Sequence, residues 1–130
     1  MQQKRLKMFK ARRNRFRKLR KACGFDTTAR VLRTGGISGL VYGQANTGVS
    51  NSTLHAQRVS CAATLSLGGS GDLDLTLVLA GATVGGKADP AFSAHEDPIA
   101  MWAEAVWSSW LPRTALQTVW TSVHKSILPP

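Results

Sequence analysis

The sequence predicts an all-α protein: a basic N-terminal helix, then a small, loosely packed helical domain that ends in a Trp-rich helical hairpin. Three observations carry this expectation. Eleven of the seventeen Lys and Arg residues fall between Lys4 and Lys21, with no acidic residue, Gly or Pro among them, and the residue types there all tolerate helix. Apolar positions in the segments that follow recur at helical spacing. The last third of the chain has no glycine, and Pro98, Pro112 and Pro129–Pro130 stand where helices start and stop. At 130 residues the chain is one domain's worth.

Residues 1–23 read as a basic helical arm. Phe9, Phe16, Leu19 and Cys23 form one thin apolar stripe, the rest of the circumference is cationic, and Gly24 is the stop. Nine like-charge pairs, such as Lys4/Lys7, Arg15/Lys18 and Arg17/Lys21, stand at i,i+3 or i,i+4. Together they cost about 2–4 kcal/mol at low salt. The isolated helix is therefore marginal and firms when phosphates neutralise it.

Residues 24–66 read as a Gly-containing helical segment. Asp26, Thr27 and Thr28 can cap a helix marked by Val31, Leu32, Ile37, Leu40 and Val41. Gly35, Gly36, Gly39 and Gly43 interrupt it, each at about 1 kcal/mol relative to Ala, so a bend or break is expected near Gly35–Gly36. These glycines either let another backbone approach closely or mark a loosely packed helix. Asn46–Asn51 is a turn, and Ser50 or Ser52 caps a helix through Leu54, Val59, Ala62, Ala63 and Leu65.

Residues 67–90 read as a flexible linker, Gly68 to Gly71, with a short apolar element, Leu73–Ala82. Alternating Leu, Thr and Val suit a strand there. The leading Asp72 and Asp74 and the small run Ala80–Gly81–Ala82 favour a helix, and Gly85–Pro90 reads as a loop. Residues 91–130 read as the C-terminal helical hairpin. Asp97–Pro98 starts its first helix, with Ile99, Trp102, Ala103, Val106 and Trp110 on one face and Pro112 at its end. Leu116, Val119, Trp120 and Val123 mark the second, which Pro129–Pro130 stops. Packed face to face, this pair is expected to be the stable part, with Trp107 off the stripe and exposed.

No residue set supports catalysis. Asp72 and Asp74 read as a helix cap and a first-turn acid rather than metal ligands. His55, His95 and His124 are scattered, without Cys or His partners at zinc spacing, and His95–Glu96–Asp97 reads as a solvated loop. Ser50, Ser52 and Ser60 have no nucleophile-elbow glycines around them. Neither Gly68–Gly71 nor Gly35–Gly39 has the context of a phosphate loop or a dinucleotide turn. The expectation is no enzyme, no metal, no cofactor and no small-molecule substrate. Cys23 and Cys61 read as reduced, half-buried thiols of an intracellular protein of nucleus or cytoplasm. There is no secretory signal, and the longest apolar stretch, Leu73–Val84, is too short to cross a bilayer of about 30 Å. A transit peptide is the rival reading of the N-terminus, and the near absence of Ser and Thr there speaks against it.

Charge is the feature that points to a partner. Outside the arm, six basic residues face seven acidic ones, so the formal net charge of +10 belongs to the arm alone. The candidate nucleic-acid-binding residues are Lys4, Arg5, Lys7, Lys10, Arg12, Arg13, Arg15, Arg17, Lys18, Arg20 and Lys21. They would contact the phosphate backbone of RNA or DNA without sequence readout. A rival from another class is an interaction module whose basic helix docks an acidic protein or an anionic membrane surface. A gene-model remnant without selected function is a third.

The order of features as far as Leu65 matches a known pattern. A basic helix bearing Phe9, Phe16 and Leu19 leads to Ala29–Arg30–Val31–Leu32–Arg33, then Gly39–Leu40–Val41–Tyr42–Gly43, the turn Gly48–Val49–Ser50, and Leu54 through Gln57–Arg58. This resembles the segment downstream of the palm in LINE-type (non-LTR) retrotransposon reverse transcriptases. The resemblance covers about half the chain. The Asp-Asp polymerase motif, fingers, palm and acidic RNase H quartet have no counterpart here. What it implies is a fragment of such a reading frame that retains a part lying near template and primer and lacks the catalytic module.

Overall fold

The computed structural model describes residues 1–66 and 72–127, and among these the protein is all-α, without strands. The order is α1 (Gln2–Val31), a π-helical turn (Leu32–Ile37), α2 (Ser38–Val41), α3 (Gln44–Thr47), α4 (Asn51–Leu65), α5 (Leu73–Val84), a 3₁₀ turn (Gly86–Ala88), α6 (Pro90–Trp107) and α7 (Arg113–Ile127). The Gly68–Gly71 link and the Pro129–Pro130 stop lie outside the described residues. The chain divides into two compact units, residues 1–96 and 97–130.

The first unit is organised by Gly24. Its φ of 83° and ψ of −178° are not helical and interrupt α1 there. A side chain disfavours that conformation, so glycine is the residue that lets the chain reverse. From the reversal, contacts spread outward in antiparallel order. Arg20 lies over the Phe25 ring, Phe9 and Phe16 approach Gly36, and Arg5 reaches the Gly39 carbonyl. Then α4 runs beside the first part of α1 in the same direction. Gln2 bonds Thr47 just ahead of α4, Arg20 bonds Leu65 at its end, and the sequence separation is 45 in both cases. Constant separation means a parallel register.

Phe9, Leu32, Ile37, Leu40, Leu65 and Leu77 are buried in one core, with Leu6, Phe16 and Phe25 packed against it. The basic helix is therefore no solvated arm. Its stripe of Phe9 and Phe16, stacked at 5.8 Å, is a wall of the core. Packing of an apolar face supplies what intrinsic propensity lacks, so the self-repulsion expected to leave this helix marginal is offset without any ligand. Cys23, expected on the stripe, is exposed instead, because the Gly24 reversal begins beside it.

The interruption expected near Gly35–Gly36 is the π-helical turn. Here the two readings of the glycines separate by position. A Cβ on Gly36 would stand 2.9 Å from Leu32 Cδ1, 3.1 Å from Phe9 Cε2 and 3.2 Å from Phe16 Cζ, whereas one on Gly39 meets nothing within 4 Å. Gly36→Ala is expected to cost about 1–3 kcal/mol by overpacking. Gly39→Ala is expected to stabilise by about 1 kcal/mol through helix propensity. Urea titrations of the two variants check the opposite signs.

Local signals set most helix starts. Ser50 Oγ accepts from Thr53 N–H at 3.3 Å to cap α4. Asp72 Oδ1 accepts from the backbone of Asp74 at 2.9 Å and Leu75 at 3.1 Å, and the apolar element is the helix α5, with Leu77 and Ala80 in the core. The apolar element read over Leu73–Ala82 thus takes the helical of its two alternatives and runs two residues further, to Val84. The start of α6 is a correction. It begins at Pro90, eight residues before the expected Asp97–Pro98, because Asp89–Pro90 carries the same cap-and-first-turn signal and is held in place. Asp89 Oδ1 accepts from Ala91 N–H at 2.9 Å and both its oxygens bind Arg58. Gly85–Pro90 is accordingly a 3₁₀ turn and helix start rather than a loop, and His95–Glu96–Asp97 is helical. Pro98 lies inside α6, where it removes a backbone donor; the boundary between the units falls beside it.

The second unit holds the rest of α6, a turn through Ser109 at φ 53°, and α7. The Trp102 and Trp120 rings approach to 5.6 Å. None of the four tryptophans is buried: Trp102 is 43% exposed and Trp107 91%. Of the two roles open to these side chains, core or helix-packing interface, the Trp102–Trp120 contact is of the second kind, and Trp107 is exposed as expected. Residues 97–130 are fewer than the roughly 40 needed to enclose a core unaided, and two helices share only a seam.

Candidate nucleic-acid interface

The docking of α1 divides its cations into two sets. Arg5, Arg13 and Arg20 are half-buried, whereas Lys4, Lys7, Lys10, Arg12, Arg15, Arg17, Lys18 and Lys21 are exposed. At about 100° per residue, the first three lie within about 40° of Phe9, on the docked side. Two of them serve the fold. Arg5 donates to the Gly39 carbonyl at 3.0 Å with its guanidinium 4.7 Å from the Tyr42 ring centroid. Arg20 donates to the Leu65 carbonyl at 2.9 Å and stands 5.3 Å from the Phe25 ring. Eight of the eleven expected residues thus remain presented to solvent. The signal for this division is the angular count that aligns Phe9 with Phe16, and it became decisive only once packing showed that the Phe9 face is the covered one.

Among the exposed eight, Lys4, Lys7, Arg15, Lys18 and Lys21 lie within about 60° of the point opposite Phe9. They form one ridge along the helix. No residue of α1 joins an ion pair among the described residues; the pairs there link Arg58 with Asp74 and Asp89, and Lys87 with Glu96. Arg17, Lys18 and Lys21 also line a polar depression of about 430 Å³ with Asn14 and Ser66. A ridge of unpaired cations, with flexible Lys and forked Arg side chains, can follow a line of phosphates.

Asp74 and Asp89 are engaged away from the ridge. Arg58 Nη2 meets Asp74 Oδ1 at 2.7 Å and Asp89 Oδ2 at 2.9 Å, tying α4 to α5 and to the start of α6. The Asp89 hydrogen bond is the largest influence on Arg58 and holds its guanidinium above its ordinary pKa, against the opposing effect of burial. Within the Leu54 to Arg58 pattern, Gln57 is fully buried and Arg58 is a clamp, so neither projects toward the α1 ridge's solvent side as a free polar group. Asp72 is a cap, as expected.

Cys61 is fully buried, and burial pushes its thiol far up from the ordinary range, with the Asp89 charge adding to the effect. The unfolded thiol ionises above about pH 8.5 while the folded one keeps its proton, so stability falls as pH rises, by about 1.4 kcal/mol per unit from this group. A thiol reagent is expected to titrate Cys23 in the native protein and Cys61 only after unfolding. Urea midpoints across the alkaline range check the slope.

No protein-family model, curated protein or solved structure matches this chain.

Proposed function

We propose that this chain is a non-catalytic nucleic-acid-binding fragment related to a retrotransposon reverse transcriptase, contacting phosphates through the outer ridge of α1. The observation that carries the reading is the ridge itself: a cationic face, free of acidic partners, held rigid by a helix whose opposite side is core. Duplex DNA offers one phosphate per about 1.7 Å of axis, so a helix of this length can engage several at once. The ordered motifs from Phe9 to Arg58 support the kinship with LINE-type reverse transcriptases. The engagement of Asp72 as a cap, and of Asp74 and Asp89 by the Arg58 guanidinium, supports a role without catalysis, since two-metal chemistry requires gathered carboxylates that are free to hold metal ions. The test is equilibrium binding to mixed-sequence oligonucleotides as a function of salt, with the wild-type chain and a ridge-neutralised variant. Removing residues 1–21 would be uninformative, because Phe9 would leave the core with the charges.

A further inference from the structure

Gly35 and Gly39 stand one turn apart where the π-helical turn runs into α2, both exposed, and a Cβ on either meets no atom within 4 Å. That open space is part of a groove of about 470 Å³ between this segment and α1. Its floor is apolar: Phe9 and Leu40 are buried beneath it, and Met8, half-exposed, is a wall. Lys4, Arg5 and Arg12 surround it, and no carboxylate lines it. Arg5 is fixed there by the Gly39 carbonyl and the face of Tyr42, itself 71% exposed.

A duplex keeps its base faces stacked inside and offers mainly phosphates to a cationic ridge, so it would leave this apolar floor unused. An unstacked nucleotide offers both things the groove asks for, a flat apolar face and an adjoining phosphate. The volume also falls within the roughly 300–1,000 Å³ of small-ligand sites. Lys4 belongs both to the ridge and to the groove rim, so a strand following the ridge meets the groove at its N-terminal end.

We infer that this groove seats one unstacked nucleotide of a single-stranded nucleic acid, its base between Met8 and the open face of Gly35 and Gly39 and its phosphates on Lys4, Arg5 and Arg12. The inference rests on the nucleic-acid reading of α1 and adds strand selectivity to it. The glycines provide the test, because a Cβ at Gly35 or Gly39 meets no atom within 4 Å, and a leucine there favours helix and extends into the groove without removing any cation. Fluorescence anisotropy would compare the full chain and Gly35→Leu/Gly39→Leu on a single strand and a duplex of equal length, with melting temperature measured alongside.

The expected result is single-strand affinity reduced about tenfold or more, the lower part of the range for loss of one stacked base, with duplex affinity and melting temperature maintained. Unchanged binding to both probes overturns the groove and leaves the ridge standing. A parallel loss on both probes, or a lowered melting temperature, likewise overturns it, because the effect would then not belong to a base seat. Wild-type protein that binds neither probe overturns the ridge reading and the groove with it.

Discussion

Raising the salt concentration from 50 to 200 mM is expected to weaken duplex binding about 500-fold. The figure follows from five ridge cations, Lys4, Lys7, Arg15, Lys18 and Lys21, each neutralising one phosphate, which sets a slope of log affinity on log salt of about −4.5. Replacing all five by Gln is expected to flatten that slope to about −2 or less and to lower affinity at low salt by orders of magnitude. The same variant removes like-charge pairs such as Lys4/Lys7 and Lys18/Lys21, so it is expected to melt higher than wild type, each pair contributing about 0.2–0.5 kcal/mol. Weaker binding in a more stable protein separates lost contacts from lost structure. A salt-independent affinity, or a variant that binds as wild type does, would sink the proposed function. Equal affinity for anionic vesicles and for oligonucleotides would transfer the ridge to a membrane role.

Phe9→Ala is expected to cost about 3–5 kcal/mol, a large share of the 5–15 kcal/mol that holds a domain of this kind together. Phe9 is 4% exposed, stacks on Phe16 and packs near Gly36, so truncation empties the seam between α1 and the returning segment. Trp102→Ala is expected to cost less, about 1–2 kcal/mol, since the residue is 43% exposed and its ring meets Trp120 at 5.6 Å rather than lying in a core. This reverses the order that sequence pattern suggests, in which the C-terminal pair is the stable part. Urea unfolding of both variants decides it. A small loss at Phe9 would mean that the basic helix is a free arm, and the rigidity attributed to the ridge would go with it.

The all-α character, the caps at Ser50 and Asp72, the helix stop at Gly24 and the interruption at Gly35–Gly36 were all legible in the sequence. Each depends on hydrogen bonds or backbone preferences within about four residues, and such interactions are written in neighbouring letters. The one-sidedness of the charge was legible for the same reason. What the tertiary structure decided depends on partners far along the chain. Arg20 was withdrawn from the ridge by the carbonyl of Leu65, 45 residues away, and Arg5 was turned from the ridge toward the groove by the carbonyl of Gly39, 34 residues away. Of two equivalent Asp–Pro signals, Asp89–Pro90 became the helix start because Arg58, 31 residues earlier, grips its carboxylate. The apolar stripe on α7 needs a second surface to become a core, and residues 97–130 contribute only a seam. The groove beside Gly35 and Gly39 exists only once α1 has folded back upon them. Periodicity shows that a face is apolar or charged; which face another helix covers is decided by long-range packing, and that sets which charges, glycines and aromatic rings remain for a ligand.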